Sequence, residues 1–163
     1  MRKKTIEDYV KHIYDHQKEK KRVHTSDIAH ALQITPASVT EILQKLSDRG
    51  YLNYKRYSGA TLTEKGEKLA EQTKKKHHTL KEFLLLLGID TKIAEKDACE
   101  MEHTLNPSTL DTIIKFIEII NQCKVTPLWL QRLKKYSKTG NLPPCPTELT
   151  NICLKYAKNF EGK

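Results

Sequence analysis

The sequence predicts a mainly α protein in three parts. These are an N-terminal winged helix-turn-helix over residues 1–72, a helical metal-binding and dimerisation domain over 73–121, and a short helical Cys-bearing C-terminal extension over 122–163. Three observations carry the prediction. Apolar residues recur at spacings of three and four through most of the chain, the period of a helix with one buried face. A single hairpin signal, at residues 51–63, interrupts them. Further along, Cys99, Glu102 and His103 fall three and four residues apart, which puts a thiolate, a carboxylate and an imidazole on one helical face.

In chain order, Ile6, Val10, Ile13 and Tyr14 mark a first helix over 5–19 with Thr5 as its N-cap. Ser26 caps a short second helix through Leu32, and residues 33–35 form the turn. Pro36 then opens a third helix to about residue 48, proline being accepted in a first helical turn. Its apolar face is Val39, Ile42, Leu43 and Leu46, which leaves Thr35, Pro36, Ala37, Ser38, Thr40, Glu41, Gln44 and Lys45 on or near the outer side. Residues 51–57 and 60–63, joined by Ser58 and Gly59, read as a two-stranded wing carrying Lys55 and Arg56. This order of elements is that of a winged helix-turn-helix, whose third helix reads the major groove while the wing touches the backbone.

Thr63 caps a long helix over 64–87 closed by Gly88, and its apolar end at residues 83–87 calls for a partner surface. Residues 89–105 carry the Cys99 cluster. Asn106, Pro107 and Ser108 punctuate before a helix over 109–122 that is apolar around much of its circumference, a pattern that suits a dimer interface as well as a core. In the extension, residues 128–133 form a small helix, and a final helix bears Cys153.

Charge narrows the function. The chain of 163 residues carries 29 Lys+Arg against 20 Asp+Glu, a formal net charge of +9. Residues 1–76 hold 17 basic against 10 acidic side chains and the remainder 12 against 10, so the N-terminal part is the polyanion face. The polar start of the chain does not read as a signal peptide, and no apolar run approaches the roughly 20 residues of a membrane span. The expected compartment is the cytoplasm, the expected partner double-stranded DNA and no membrane. Four irregularly spaced cysteines there are reduced thiols or metal ligands rather than a disulfide framework. No nucleophile–base pair or oxyanion motif accompanies the Cys99 cluster, so the chain is not read as an enzyme.

Six segments in order sharpen this: residues 5–14 (TIEDYVKHIY), 26–29 (SDIA), 36–40 (PASVT), 44–46 (QKL), 62–66 (LTEKG) and 97–103 (DACEMEH). Through them the chain resembles the diphtheria toxin repressor family of metal-dependent transcriptional regulators, especially its short branch represented by the manganese transport regulator. The resemblance implies a homodimeric repressor of metal-ion homeostasis that binds a near-palindromic operator when loaded with a divalent metal. It also implies that Asp8 joins Cys99, Glu102 and His103 as metal ligands, with His77 at a further ligand position. Lys11 stands where the manganese branch carries a second carboxylate, and an ammonium does not ligate, so a binuclear site of that type is not expected. His78, Glu82 and Glu95 offer an ancillary site like that of the iron branch, and sequence alone does not decide which of His77 and His78 faces the metal. A thiolate among carboxylates favours Fe(II), with Mn(II) next.

Beyond residue 122 the chain adds Cys123, Cys145 and Cys153, with no histidine after His103. These cysteines are a candidate iron–sulfur or zinc site, and they support an alternative in which a winged-helix regulator senses redox state or a cluster through its tail.

Overall fold

The structure, a computed structural model, describes residues 2–19, 22–144 and 146–147. Seven helices and one hairpin follow in order among them: α1 (Lys3–Glu19), α2 (Thr25–Leu32), α3 (Pro36–Asp48), β1 (Leu52–Lys55), β2 (Gly59–Leu62), α4 (Glu64–Leu86), α5 (Thr91–Thr104), α6 (Pro107–Gln122) and α7 (Leu128–Thr139). No described helix is long and apolar enough to cross a membrane.

The winged-helix part closes around one core. Tyr9, Val10 and Ile13 from α1, Ile28 from α2, and Val39, Leu43 and Leu46 from α3 meet Leu52, Ala60 and Leu62 of the hairpin, all buried. Burying a residue of this kind contributes about 1.5–3 kcal/mol, so α1, α3 and the hairpin are held in one core. The hairpin pairs Leu52 with Leu62 and Lys55 with Gly59, and Val23 extends it by bonding Ala60 in both directions at 2.8 and 3.1 Å. Thr63 caps α4 by accepting from Gly66 N–H, and Gly66 is required there. A Cβ at this residue would lie 2.0 Å from the carbonyl oxygen of Tyr51.

Several boundaries differ from the expectation. Helix α1 starts at Lys3 rather than Thr5. Helix α2 starts at Thr25 with His24 as its N-cap, not Ser26, because Asp27 Oδ2 accepts from the His24 backbone N–H at 2.9 Å. Helix α6 begins at Pro107 rather than Thr109. The Asn106 side chain accepts from Ser108 N–H at 3.0 Å, which makes the Asn-Pro-Ser run a cap instead of a break. Helix α7 reaches Thr139, six residues past the expected end, and stops where Gly140 adopts φ +68°. The final helix expected around Cys153 lies outside the described residues.

Helix α4 runs without interruption past residue 72, where the sequence suggested a domain boundary, and so belongs to both parts. Its second half packs on α5, where Leu80, Ala94 and Ala98 are all fully buried, and on α6, where Phe83 and Phe116 stack edge to face at 5.8 Å. Helix α7 buries Leu130 and sets Trp129 6.2 Å from Phe116. On α6 itself only Ile117 is fully buried within one subunit, and Ile119 is 63% exposed.

Candidate metal centre

Helix α1 turns its core face inward and carries Glu7, Asp8 and Lys11 along the side that meets α5. Lys11 falls beside Asp8 and Glu7 because it stands three and four residues beyond them. Helix α5 answers with Cys99, Glu102 and His103. Ligand atoms of Asp8, Cys99, Glu102 and His103 all lie within 4.8 Å of one another, and these four are the one such group of three or more potential ligands among the described residues.

The electrostatics of the cluster call for a cation. His103 is 2% exposed, and its Nδ1 lies 2.8 Å from Oε2 of Glu7, itself 1% exposed. A carboxylate partner assigns the ring N–H to Nδ1 and leaves the Nε2 lone pair pointing inward. That Nε2 faces Asp8 Oδ1 at 2.9 Å and Glu102 Oε1 at 3.3 Å, and it has no hydrogen-bond partner among the described residues. A buried imidazole lone pair facing carboxylate oxygens is an acceptor among acceptors, and Lys11, which donates to Glu102 Oε1, does not serve it. Such an arrangement costs free energy unless a cation completes it. Two carboxylate oxygens, one sulfur and one imidazole nitrogen therefore fit a divalent transition ion.

Neighbouring groups tune these ligands. Burial opposes ionisation of Glu102, but the neighbouring His77 imidazole and the Lys11 ammonium outweigh it and hold the carboxyl below its usual range. Burial pushes the Cys99 thiol up, with Lys11 partly opposing that effect, so this sulfur gives up its proton when it binds metal. Lys11 Nζ sits 2.9 Å from Glu102 Oε1, and a second tie, Lys4 to Glu100 at 2.7 Å, also joins α1 to α5.

The other candidates are placed as follows. His77, not His78, faces the centre: its Nδ1 lies 2.9 Å from Glu102 Oε2 and its Nε2 2.9 Å from Glu95 Oε1. It thus lines the far side of Glu102 rather than converging with the four. His78 is exposed, Glu82 accepts from Asn121 at 3.0 Å, and Glu95 is taken by His77 and Lys81, so His78, Glu82 and Glu95 are not brought together. Cys123 is exposed behind α6, while Cys145 and Cys153 lie outside the described residues. Glu7 was missed by the sequence reading. Its one signal is adjacency to Asp8, and an acidic side chain beside the apolar residues of α1 reads as a solvent-facing one.

At the opposite end of the winged helix, Thr35, Pro36, Ala37, Ser38, Glu41, Gln44 and Lys45 form an exposed face of α3. Thr40 is half-buried, and its hydroxyl donates to Pro36 O at 2.9 Å. Lys55 and Arg56 are exposed on the wing. Two neighbours escaped the sequence reading: Tyr57, 89% exposed at φ +69° beside the Arg56 guanidinium, and Arg22, which shares a polar groove with Asn53, Lys55 and Thr61. A bulky side chain at positive φ carries no sequence signal.

Comparison with known proteins agrees with both ends of the molecule. Residues 1–60 match the family described as iron dependent repressor, N-terminal DNA binding domain, and residues 63–127 match iron dependent repressor, metal binding and dimerisation domain. An uncharacterised helix-turn-helix transcriptional regulator of Methanocaldococcus jannaschii is 43% identical over 116 residues, covering 70% of this chain and 93% of that protein. The helix-turn-helix transcriptional regulator MntR of Lysinibacillus sphaericus is 37% identical over 118 residues, covering 72% of this chain and 85% of that one. Among solved structures, the manganese regulator SloR superposes with a TM-score of 0.61 at 28% identity over 75% of this chain, which spans 56% of that structure's length.

Proposed function

The chain belongs to the iron-dependent, or diphtheria toxin, repressor family of metal-dependent transcriptional regulators, and on that premise we propose that it is switched on by Fe(II), with Mn(II) next, to hold a near-palindromic operator. The observation that supports this is the convergence of Asp8 from the DNA-binding part with Cys99, Glu102 and His103 from the dimerisation part. Asp8, Cys99, Glu102 and His103 would hold the ion. When bound, the ion supplies the positive charge that this acceptor set lacks and a bond between α1 and α5.

The residues themselves do the rest. Glu7 orients His103, and Asp8 stands on the helix whose Tyr9, Val10 and Ile13 enter the same core as the apolar face of α3. Fixing Asp8 against α5 therefore fixes α3 relative to the dimerisation part. In a two-fold dimer this sets the separation of two reading helices, which should match half-sites about one helical turn apart. Ser38 and Thr40 would approach base edges, and Lys55 and Arg56 phosphates. The preference for Fe(II) rests on Cys99, since a thiolate suits softer ions better than a site of carboxylates alone. Such a repressor would act in the cytoplasm on genes of metal-ion homeostasis.

The test is operator affinity at fixed salt across Mn(II), Fe(II), Co(II) and Zn(II), with Fe(II) handled anaerobically. A rise of roughly 5- to 150-fold on loading is the usual allosteric scale, and the largest rise is expected for Fe(II). Equal affinity with and without every ion would overturn the metal switch, and a larger response to Mn(II) would overturn the assignment of the ion.

A further inference from the structure

The far side of Glu102 carries a second, partly built ligand set. His77 spans two carboxylates there, with Nδ1 2.9 Å from Glu102 Oε2 and Nε2 2.9 Å from Glu95 Oε1. His77 Nδ1 and Glu102 Oε2 are both buried without a hydrogen-bond partner among the described residues. One imidazole and two carboxylates within reach of the first site look like the start of a second one. Each carboxylate, however, already has an ammonium of this chain. Lys11 Nζ lies 2.9 Å from Glu102 Oε1 with its side chain 18% exposed, and Lys81 Nζ lies 2.5 Å from Glu95 Oε2.

Charge balance points the same way. Asp8, Glu102 and the Cys99 thiolate bring three negative charges, and Lys11 one positive, so a single divalent ion closes the account. Nearby, Glu7 is met by Lys76 at 3.6 Å, and Glu95 by Lys81. A second divalent ion would leave two surplus positive charges beside Glu102, His77 and Lys11, whose side chains are largely removed from water and where like charges repel strongly, although Glu95 at the outer edge is half exposed. We propose that Lys11 and Lys81 are built-in cations that restrict this centre to one divalent ion per subunit: from the oxygens of Glu102 and Glu95 that His77 leaves free, they supply the positive charge that a second ion held by His77 would bring. The two lysines are thus specificity-determining residues, and His77 positions Glu102 instead of binding an ion of its own. This inference rests on the metal-sensing reading above.

Mn(II) is the probe, because it reports both number and proximity. Titration calorimetry on the full chain should give one ion per subunit, and electron paramagnetic resonance should show an isolated high-spin centre. In the K11Q/K81Q double variant the stoichiometry should rise to two, with the exchange-coupled spectrum of ions a few ångströms apart. K11E, carrying a carboxylate in place of the ammonium, gives a second route to the same change. Circular dichroism identifies which variants have folded.

Two coupled Mn(II) ions in the unmodified chain would overturn the proposal. So would a single ion in folded K11Q/K81Q and K11E. If neither variant folds, the unmodified chain alone decides, one isolated ion supporting and two refuting. A centre that takes one ion without changing operator affinity would sink the sensor reading and leave the one-ion centre standing. A chain that binds no Mn(II), Fe(II) or Zn(II) would end both.

Discussion

Replacing Glu7 with alanine removes the carboxylate that sits 2.8 Å from His103 Nδ1, with both side chains almost wholly buried. Two consequences follow from the geometry. The Nδ1–H loses its acceptor, so the imidazole is free to turn its lone pair away from Asp8 and Glu102. The ring also becomes a poorer metal ligand, because a carboxylate behind a ligating histidine strengthens its bond to the metal. Partners of this type typically change metal affinity 10- to 100-fold, or about 1.4–2.7 kcal/mol. Competition of Mn(II) against a fluorescent chelator, on protein checked by thermal unfolding, reads that loss directly. Glu7→Gln retains an amide oxygen that can accept from Nδ1 and should recover part of it. Unchanged metal affinity in a folded Glu7→Ala protein would refute the reasoning, because it would mean that His103 needs no orienting partner.

Glu102→Ala and His103→Ala should each abolish the metal response while leaving salt-dependent, non-specific DNA binding intact, as electrophoretic mobility shifts with and without metal would reveal. Lys55→Ala and Arg56→Ala should weaken binding to all sequences alike and reduce the salt slope by about one each, whereas Ser38→Ala should shift preference among operators. Fluorescence anisotropy over a salt series separates the two behaviours. Leu130→Ala opens a cavity under α7 at a fully buried position and should lower stability by about 2–5 kcal/mol in urea unfolding; a change under 0.5 kcal/mol would show that α7 is not part of the cooperative unit.

Much of the architecture was legible because it rests on periodicity and punctuation. The core residues of α1 and α3, the wing around Ser58 and Gly59, and the Thr63 cap are all local signals; of the four converging side chains, Cys99, Glu102 and His103 were marked by helical spacing and Asp8 by the family resemblance. What stayed hidden depends on contacts between distant segments. The α2 start is set by an Asp27 side chain folding back on His24, and the α6 start by Asn106 capping a proline that looked like a breaker. Glu7 is buried against His103, 96 residues away, a contact that no local pattern announces. Lys11 was recognised as a departure, but its pairing with Glu102, and the matching pair of Lys81 with Glu95, requires α1, α4 and α5 to be packed together first.

The unbroken α4 works as a lever arm. His77 lies 14 residues beyond the Thr63 cap, about 21 Å at 1.5 Å per residue, and that cap, directly after β2, is anchored to the turn between α3 and β1 by the Thr63 hydroxyl donating to Gly50 O at 2.7 Å. A tilt of about 5° pivoting at His77 would carry the base of the wing about 2 Å, enough to turn a phosphate hydrogen bond into no contact. Adjustments of a few tenths of an ångström where α1, α4 and α5 meet are thereby magnified several-fold at the DNA surface, and the stiffness of one helix, rather than the strength of any single bond, sets how faithfully ion binding is transmitted.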